Sequence, residues 1–113
     1  MTIKELLQQT IDAKASDLHL LAGVPPTLRI DGVIAPLANF GVLTPDLVSA
    51  LVKEFVTAEQ LVKISVDKEI DFSLPFSDKA RFRVNDYTQK GSLAACFRRI
   101  PIEVPAIDFL GLP

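Results

Sequence analysis

Three stretches decide how this 113-residue chain is read: Ala80-Arg81-Phe82-Arg83-Val84-Asn85-Asp86-Tyr87, the pair Lys90-Gly91, and the return run from Ser92 to Ile100. The first alternates apolar with charged or polar residues, the period of a strand with one buried face. Gly91 marks a turn, and Ser92 to Ile100 supplies a partner strand. The apolar pattern also selects the register, because a slip of one residue turns every side chain to the opposite face. Only registers that set Phe82 and Val84 on the face of Ala95 and Phe97 keep apolar and charged residues apart. A two-residue turn at Lys90-Gly91 then puts Arg83 opposite Arg98, and a slip of two puts Arg81 there instead. In both cases Arg81, Arg83 and Arg98 share the face away from Phe82, Val84 and Phe97. Like charges directly opposed on a sheet cost about 0.2–1 kcal/mol unless an anion lies between them. An anion is therefore expected at this face; the alternative is arginines that are solvated or paired with Asp67, Glu69 and Asp71.

Upstream, Glu69-Ile70-Asp71-Phe72-Ser73-Leu74 alternates strictly, with Ile70, Phe72 and Leu74 on one face. The acidic trio Asp67, Glu69 and Asp71 reads as one face of that strand. Solvation is its expected state, with a metal site or half of a charge-complementary interface as alternatives. Thr2-Ile3-Lys4-Glu5 has the form of a capping box, and Ile3, Leu6, Leu7 and Ile11 follow at helical spacing, so a helix is predicted from here to near Ala15. Asp17 to Leu21 alternates as a strand and is closed by Gly23 and Pro25-Pro26. Thr27–Ile30 and Val33–Leu37 flank Asp31-Gly32, a pair suited to the two positive φ angles of a tight hairpin turn. Thr44-Pro45-Asp46 starts a second helix through Leu47, Val48, Leu51, Val52 and Phe55. Thr57-Ala58-Glu59-Gln60 caps a short third helix with Leu61 and Ile64 inside. From Pro101 onward three prolines argue for a tether. The layout is α+β: a PAS-like antiparallel sheet of about six strands with helices on one face. One domain is expected over residues 1–100, with the start of a linker over 101–113.

Composition agrees with a folded domain of this size. Apolar residues make up 49% of the chain and lie in short periodic clusters. No stretch approaches the roughly 20 apolar residues of a membrane span, and Met1 to Gln9 lacks the features of a signal peptide, so the expected location is the cytoplasm. Cys96, the lone cysteine, is expected to be half-buried and structural. The net charge of −2 hides an asymmetry: Lys79 to Arg99 holds six basic residues and one acid, whereas the remainder holds six basic and thirteen acidic residues. A basic ribbon on an acidic domain suggests a locally presented anionic partner and disfavours nonspecific nucleic-acid binding.

Catalytic signatures are missing from the sequence. Gly23, Gly32, Gly41, Gly91 and Gly111 form no phosphate-binding loop, and there is no nucleophile elbow, H-E-x-x-H pair or Cys/His cluster. The chain alone is not expected to be an enzyme, and no catalytic or metal residues are assigned. Asp17 and His19 sit two apart on one strand face, which suits a metal or an acid–base pair. With a single histidine and no third ligand in sight, a hydrogen-bonded structural role for His19 is expected instead.

Six ordered segments carry a resemblance over the whole chain: Ala15-Ser16-Asp17-Leu18-His19-Leu20; Gly23-x-Pro25-Pro26-x-x-Arg29-x-Asp31-Gly32; Glu69-x-Asp71-Phe72-Ser73; Arg81-Phe82-Arg83-Val84-Asn85; Arg98-x-Ile100-Pro101; and Leu110-Gly111-Leu112-Pro113. Together they resemble the N-terminal domain of the PilT-type twitching-motility ATPases, and less closely the type II secretion and pilus assembly ATPases. A domain starting at Met1 favours the retraction type. The resemblance implies a PAS-like domain followed by a linker and a RecA-like domain that bears the Walker motifs, so the chain reads as an excised fragment. It implies the nucleotide-sensing and coupling domain of a homo-hexameric motor that disassembles and retracts type IV pili. Cofactors are expected only in the full-length protein, as ATP and Mg. Implied partners are the RecA-like domain of the same or a neighbouring subunit and a pilus inner-membrane platform protein, with a cytoplasmic location at the inner-membrane pilus machinery. Arg83 and Arg98 match the family's γ-phosphate-contacting arginines; Arg81 is a weaker candidate, and Arg99 departs from the usual apolar residue. The competing reading is a free-standing PAS-like sensor or adaptor with a pocket in its sheet.

Overall fold

The computed structural model describes residues 1–78 and 80–101. Along the chain run α1 (Ile3–Asp12), β1 (Asp17–Leu20), β2 (Thr27–Ile30), β3 (Val33–Pro36), a 3-10 turn (Ala38–Phe40), α2 (Pro45–Lys53), α3 (Ala58–Asp67), β4 (Glu69–Ser77), β5 (Ala80–Gln89) and β6 (Ser92–Pro101). All strands join one antiparallel sheet in the order β3-β2-β1-β6-β5-β4. β1 is therefore clamped between its own hairpin partner β2 and the last strand β6. This long-range pairing ties the two hairpins of the sheet into one surface.

Local chemistry places the turns and caps as expected. Thr2 and Glu5 form a reciprocal capping box at α1, and Thr57 and Gln60 form another at α3. Thr44 caps α2 by accepting from the Leu47 N–H, with Pro45 at the first helical position. Asp31 and Gly32 take φ angles of 49° and 81°, and Lys90 and Gly91 take 51° and 80°, the conformation of two-residue hairpin turns.

The helices cover one face. Leu6 and Leu7 of α1, Val48, Leu51 and Val52 of α2, and Ile64 of α3 are buried, as are Leu18 and Leu20 of β1, Leu28 of β2, Phe82 and Val84 of β5, and Ala95 and Phe97 of β6. Phe97 is the hub, packed edge-on to Phe55 at 5.1 Å and to Phe82 at 6.3 Å between ring centres. Burying side chains of this size contributes roughly 1.5–3 kcal/mol each, enough to enforce the register that keeps them inside. This is the expected α+β layout with a PAS-like arrangement of sheet and helices.

Several boundaries differ from the sequence reading, among them α2, which ends at Lys53 and leaves Phe55 outside the helix. α1 stops at Asp12 rather than near Ala15, because Lys14 adopts a left-handed φ of 56°. The Lys14 N–H then bonds the Ile11 carbonyl and the Ala15 N–H bonds the Thr10 carbonyl, which is the Schellman termination. α3 runs on to Asp67, with Lys68 left-handed at φ 70° as its cap. Asp67 is thus helical, and the proposed acidic trio on one strand reduces to Glu69 and Asp71. β6 continues through Pro101, which pairs with Ala80; the rest of the expected linker lies outside the described residues.

Candidate functional site

Directly opposed residues of antiparallel strands share a face, so the ladders define a row across the sheet on the side away from the helices. Arg29 of β2 stands opposite Asp17 of β1, Asp17 opposite Arg98 of β6, Arg98 opposite Arg83 of β5, and Arg83 opposite Ser73 of β4. The register is the one set by a two-residue turn at Lys90-Gly91, with Arg83 rather than Arg81 against Arg98. Arg81 lies on the same face one step toward the sheet end, opposite Ile100.

Carboxylates flank the arginine pair on its outer sides, so the alternative of arginines paired with acids holds for Asp71, and Asp17 joins it. Arg83 Nε and Nη2 donate to the two Asp71 carboxylate oxygens at 3.2 and 3.3 Å. Arg98 Nε donates to Asp17 Oδ1 at 3.5 Å. Both guanidinium side chains stay largely exposed, at 66% for Arg83 and 72% for Arg98, so neither pair removes its arginine from solution. The two acids differ: the Asp71 side chain is 47% exposed, whereas that of Asp17 is 10% exposed. Asp71, Arg83, Asn85, Cys96 and Arg98 together line an open hollow of about 180 Å³. Asn85 donates to Glu69 Oε1 at 3.0 Å, which occupies that acid within the sheet.

His19 lies opposite Cys96 and shares the face of Asp17, as its spacing implied. Its Nε2 is 4.0 Å from Asp17 Oδ2, too far for the hydrogen bond expected of a structural histidine. Among the described residues no group of three His, Cys, Asp or Glu is placed to hold a metal ion. Cys96 is half-buried, and its thiol is pushed up first by burial and then by the Asp17 charge, against a smaller opposing pull from Arg98. It is a protonated thiol at neutral pH, with no enhanced reactivity.

Arg99 does something different from its neighbour. It projects to the helix side at the end of the sheet, where Nε donates to the Ala15 carbonyl at 2.8 Å while its own N–H bonds the Ser16 carbonyl. That anchors the α1–β1 turn to β6. Two further residues carried no assigned role in the sequence reading. Arg29 completes the arginine row, a placement that depends on β1 pairing with both β2 and β6. Asp86 is fully buried on the core face between Ile70 and Ala95, and neither carboxylate oxygen has a hydrogen-bond partner. Burial raises its pKa from 3.8 to about 7. The alternation that turns Phe82 and Val84 inward turns Asp86 inward as well, so the signal was present in the strand period.

The chain and its fold have counterparts of known kind. The chain is 38% identical over 112 residues to the type IV pilus retraction ATPase PilT of Pseudomonas aeruginosa, covering 99% of this chain and 32% of that one. A crystal structure of the pilus retraction motor PilT with bound ADP superimposes with a TM-score of 0.84 at 38% identity, over 100% of this chain and 33% of that one. The chain is a homologue of the PilT N-terminal domain. PilU of Pseudomonas aeruginosa, a type IV pilus ATPase, is 27% identical over 113 residues, covering 100% of this chain and 29% of that one. The chain thus spans about a third of the length of these relatives. No family model matches it. In this chain the arginine face is the side of the sheet left uncovered by its own helices. No helix among the described residues is long and apolar enough to cross a membrane.

Proposed function

We propose that this domain senses nucleotide and couples its state to movement in a homo-hexameric ATPase that retracts type IV pili. Arg83 and Arg98 are the sensing groups. They reach the γ-phosphate of ATP held, with its Mg²⁺, by a RecA-like domain of the same or a neighbouring subunit, with Arg81 as an auxiliary cation. The observation that carries this reading is the pair itself: two exposed guanidinium groups directly opposed on an open sheet face, in a chain with no phosphate-binding loop. Like charges held side by side are stabilised by an anion between them. Guanidinium suits the task because it stays charged and binds phosphate oxygens through paired donors.

Hydrolysis and release of the γ-phosphate would weaken the contact and free the domain to move, as in other phosphate-held closures. The reading places the motor at the cytoplasmic side of the inner-membrane pilus machinery, acting on a platform protein there. The test is replacement of Arg83 and of Arg98 by Ala in the full-length protein, measuring nucleotide affinity, ATPase rate and twitching. Loss of turnover and motility with the hexamer retained supports the proposal; normal turnover and motility in both variants overturns it.

A further inference from the structure

We infer that Asp71 is a built-in competitor for the phosphate, a latch that holds Arg83 until an anion displaces it, whereas Asp17 is a fixed support that keeps Arg98 presented. The inference rests on the nucleotide-sensing reading and adds its regulation. Asp71 engages Arg83 through Nε and Nη2 together, using both carboxylate oxygens. That paired edge is also the one a guanidinium offers to two phosphate oxygens. Phosphate and Asp71 are therefore alternatives on the same donors. Asp71 can release them, since its half-exposed side chain on edge strand β4 can turn into water at little desolvation cost.

Asp17 has the opposite character. It is nearly buried on β1, between β2 and β6, and engages only the Nε of Arg98. Among the described residues no hydrogen bond engages the terminal amino groups of Arg98, so an anion can take them without disturbing Asp17. A buried carboxylate with a cation on each flanking strand, Arg29 and Arg98, gains nothing by leaving. The face is thus asymmetric: Arg98 meets the phosphate first, and the latch at Arg83 opens second.

The experiment uses the full-length protein with ADP and the non-hydrolysable β,γ-imido analogue of ATP as probes, binding being measured by calorimetry. Asp71→Asn should tighten the triphosphate analogue by about two- to fivefold, the range expected for an exposed ion pair, and leave ADP affinity unchanged. Glu69→Gln removes the same charge two residues away without touching Arg83, and should have a smaller effect. Asp17→Asn should weaken the analogue rather than tighten it, although it too removes a negative charge. Equal tightening by all three variants would reduce the effect to net charge and overturn the latch. No tightening by Asp71→Asn, with Arg83→Ala still weakening the analogue, would overturn the latch alone. An Arg83→Ala protein that discriminates the two nucleotides as before would remove the sensing reading itself.

Discussion

Arg83 and Arg98 stand opposite each other across the β5–β6 ladder, and each is drawn away from the other by a carboxylate on its far side, Asp71 at 3.2 Å and Asp17 at 3.5 Å. Opposed like charges cost about as much as exposed ion pairs return, a few tenths to about 1 kcal/mol in either direction. Arg83→Ala is therefore expected to change stability by less than about 1 kcal/mol. Phe82, on the other face of the same strand, is fully buried against Phe76 and Phe97, and Phe82→Ala should cost about 3–5 kcal/mol. Denaturant unfolding of the two variants measures the contrast, and equal destabilisation would contradict the face assignment.

Asp86 makes stability depend on pH in a stated direction. Its carboxyl has a higher proton affinity in the folded state, where the pKa is about 7, than in the unfolded chain, where it is near 3.8. Its favourable contribution is fully present below about pH 4, falls as pH rises, and is lost above pH 7. The span corresponds to a loss on the order of 4 kcal/mol. Asp86→Ala should accordingly be more stable than the parent at about pH 8, with the advantage shrinking towards pH 4. Thermal unfolding across that range reads it; an advantage independent of pH would show that the ionised carboxylate is not the cause.

Left-handed Lys14 and Lys68 end α1 and α3 at φ angles of 56° and 70°. A side chain at such a position costs roughly 1 kcal/mol that glycine avoids. Lys14→Gly and Lys68→Gly should each stabilise the domain by up to about 1 kcal/mol, seen as a rise in the denaturant midpoint without a change in slope. A loss of stability in both would mean that the lysine side chains make contributions larger than the backbone strain.

Arg99 should behave as a structural residue despite adjoining Arg98. Its hydrogen bond to the Ala15 carbonyl at 2.8 Å is charged and half-shielded, the kind worth about 1.5–3 kcal/mol. Arg99→Ala is expected to lower stability by about that amount and to raise hydrogen exchange at the α1–β1 turn. Nucleotide discrimination in the full-length protein should persist. Unchanged exchange at that turn would place the role of Arg99 elsewhere.

Most of the architecture was legible because it rests on chemistry within a few residues. A capping box needs only Thr2 and Glu5, a two-residue turn only Lys90-Gly91, and strand alternation sorts Phe82 from Arg83 with no knowledge of what lies beyond. Once that turn and the apolar faces are combined, Arg83 must oppose Arg98. Helix ends were less legible, since nothing in Lys14 or Lys68 announces a left-handed conformation that packing imposes. Of the arginines' partners, Asp71 was among the acids the sequence reading offered as an alternative, whereas Asp17 lay further out of reach. Asp17 is 81 positions from Arg98 and meets it because β1 inserts beside β6, while Asp71 meets Arg83 on a diagonal across β4 and β5. Alternation assigns a side chain to a face, but which residues on that face touch depends on strand order and stagger. Those are settled by how the whole hydrophobic face closes under the three helices, and that closure makes one arginine latched and the other presented.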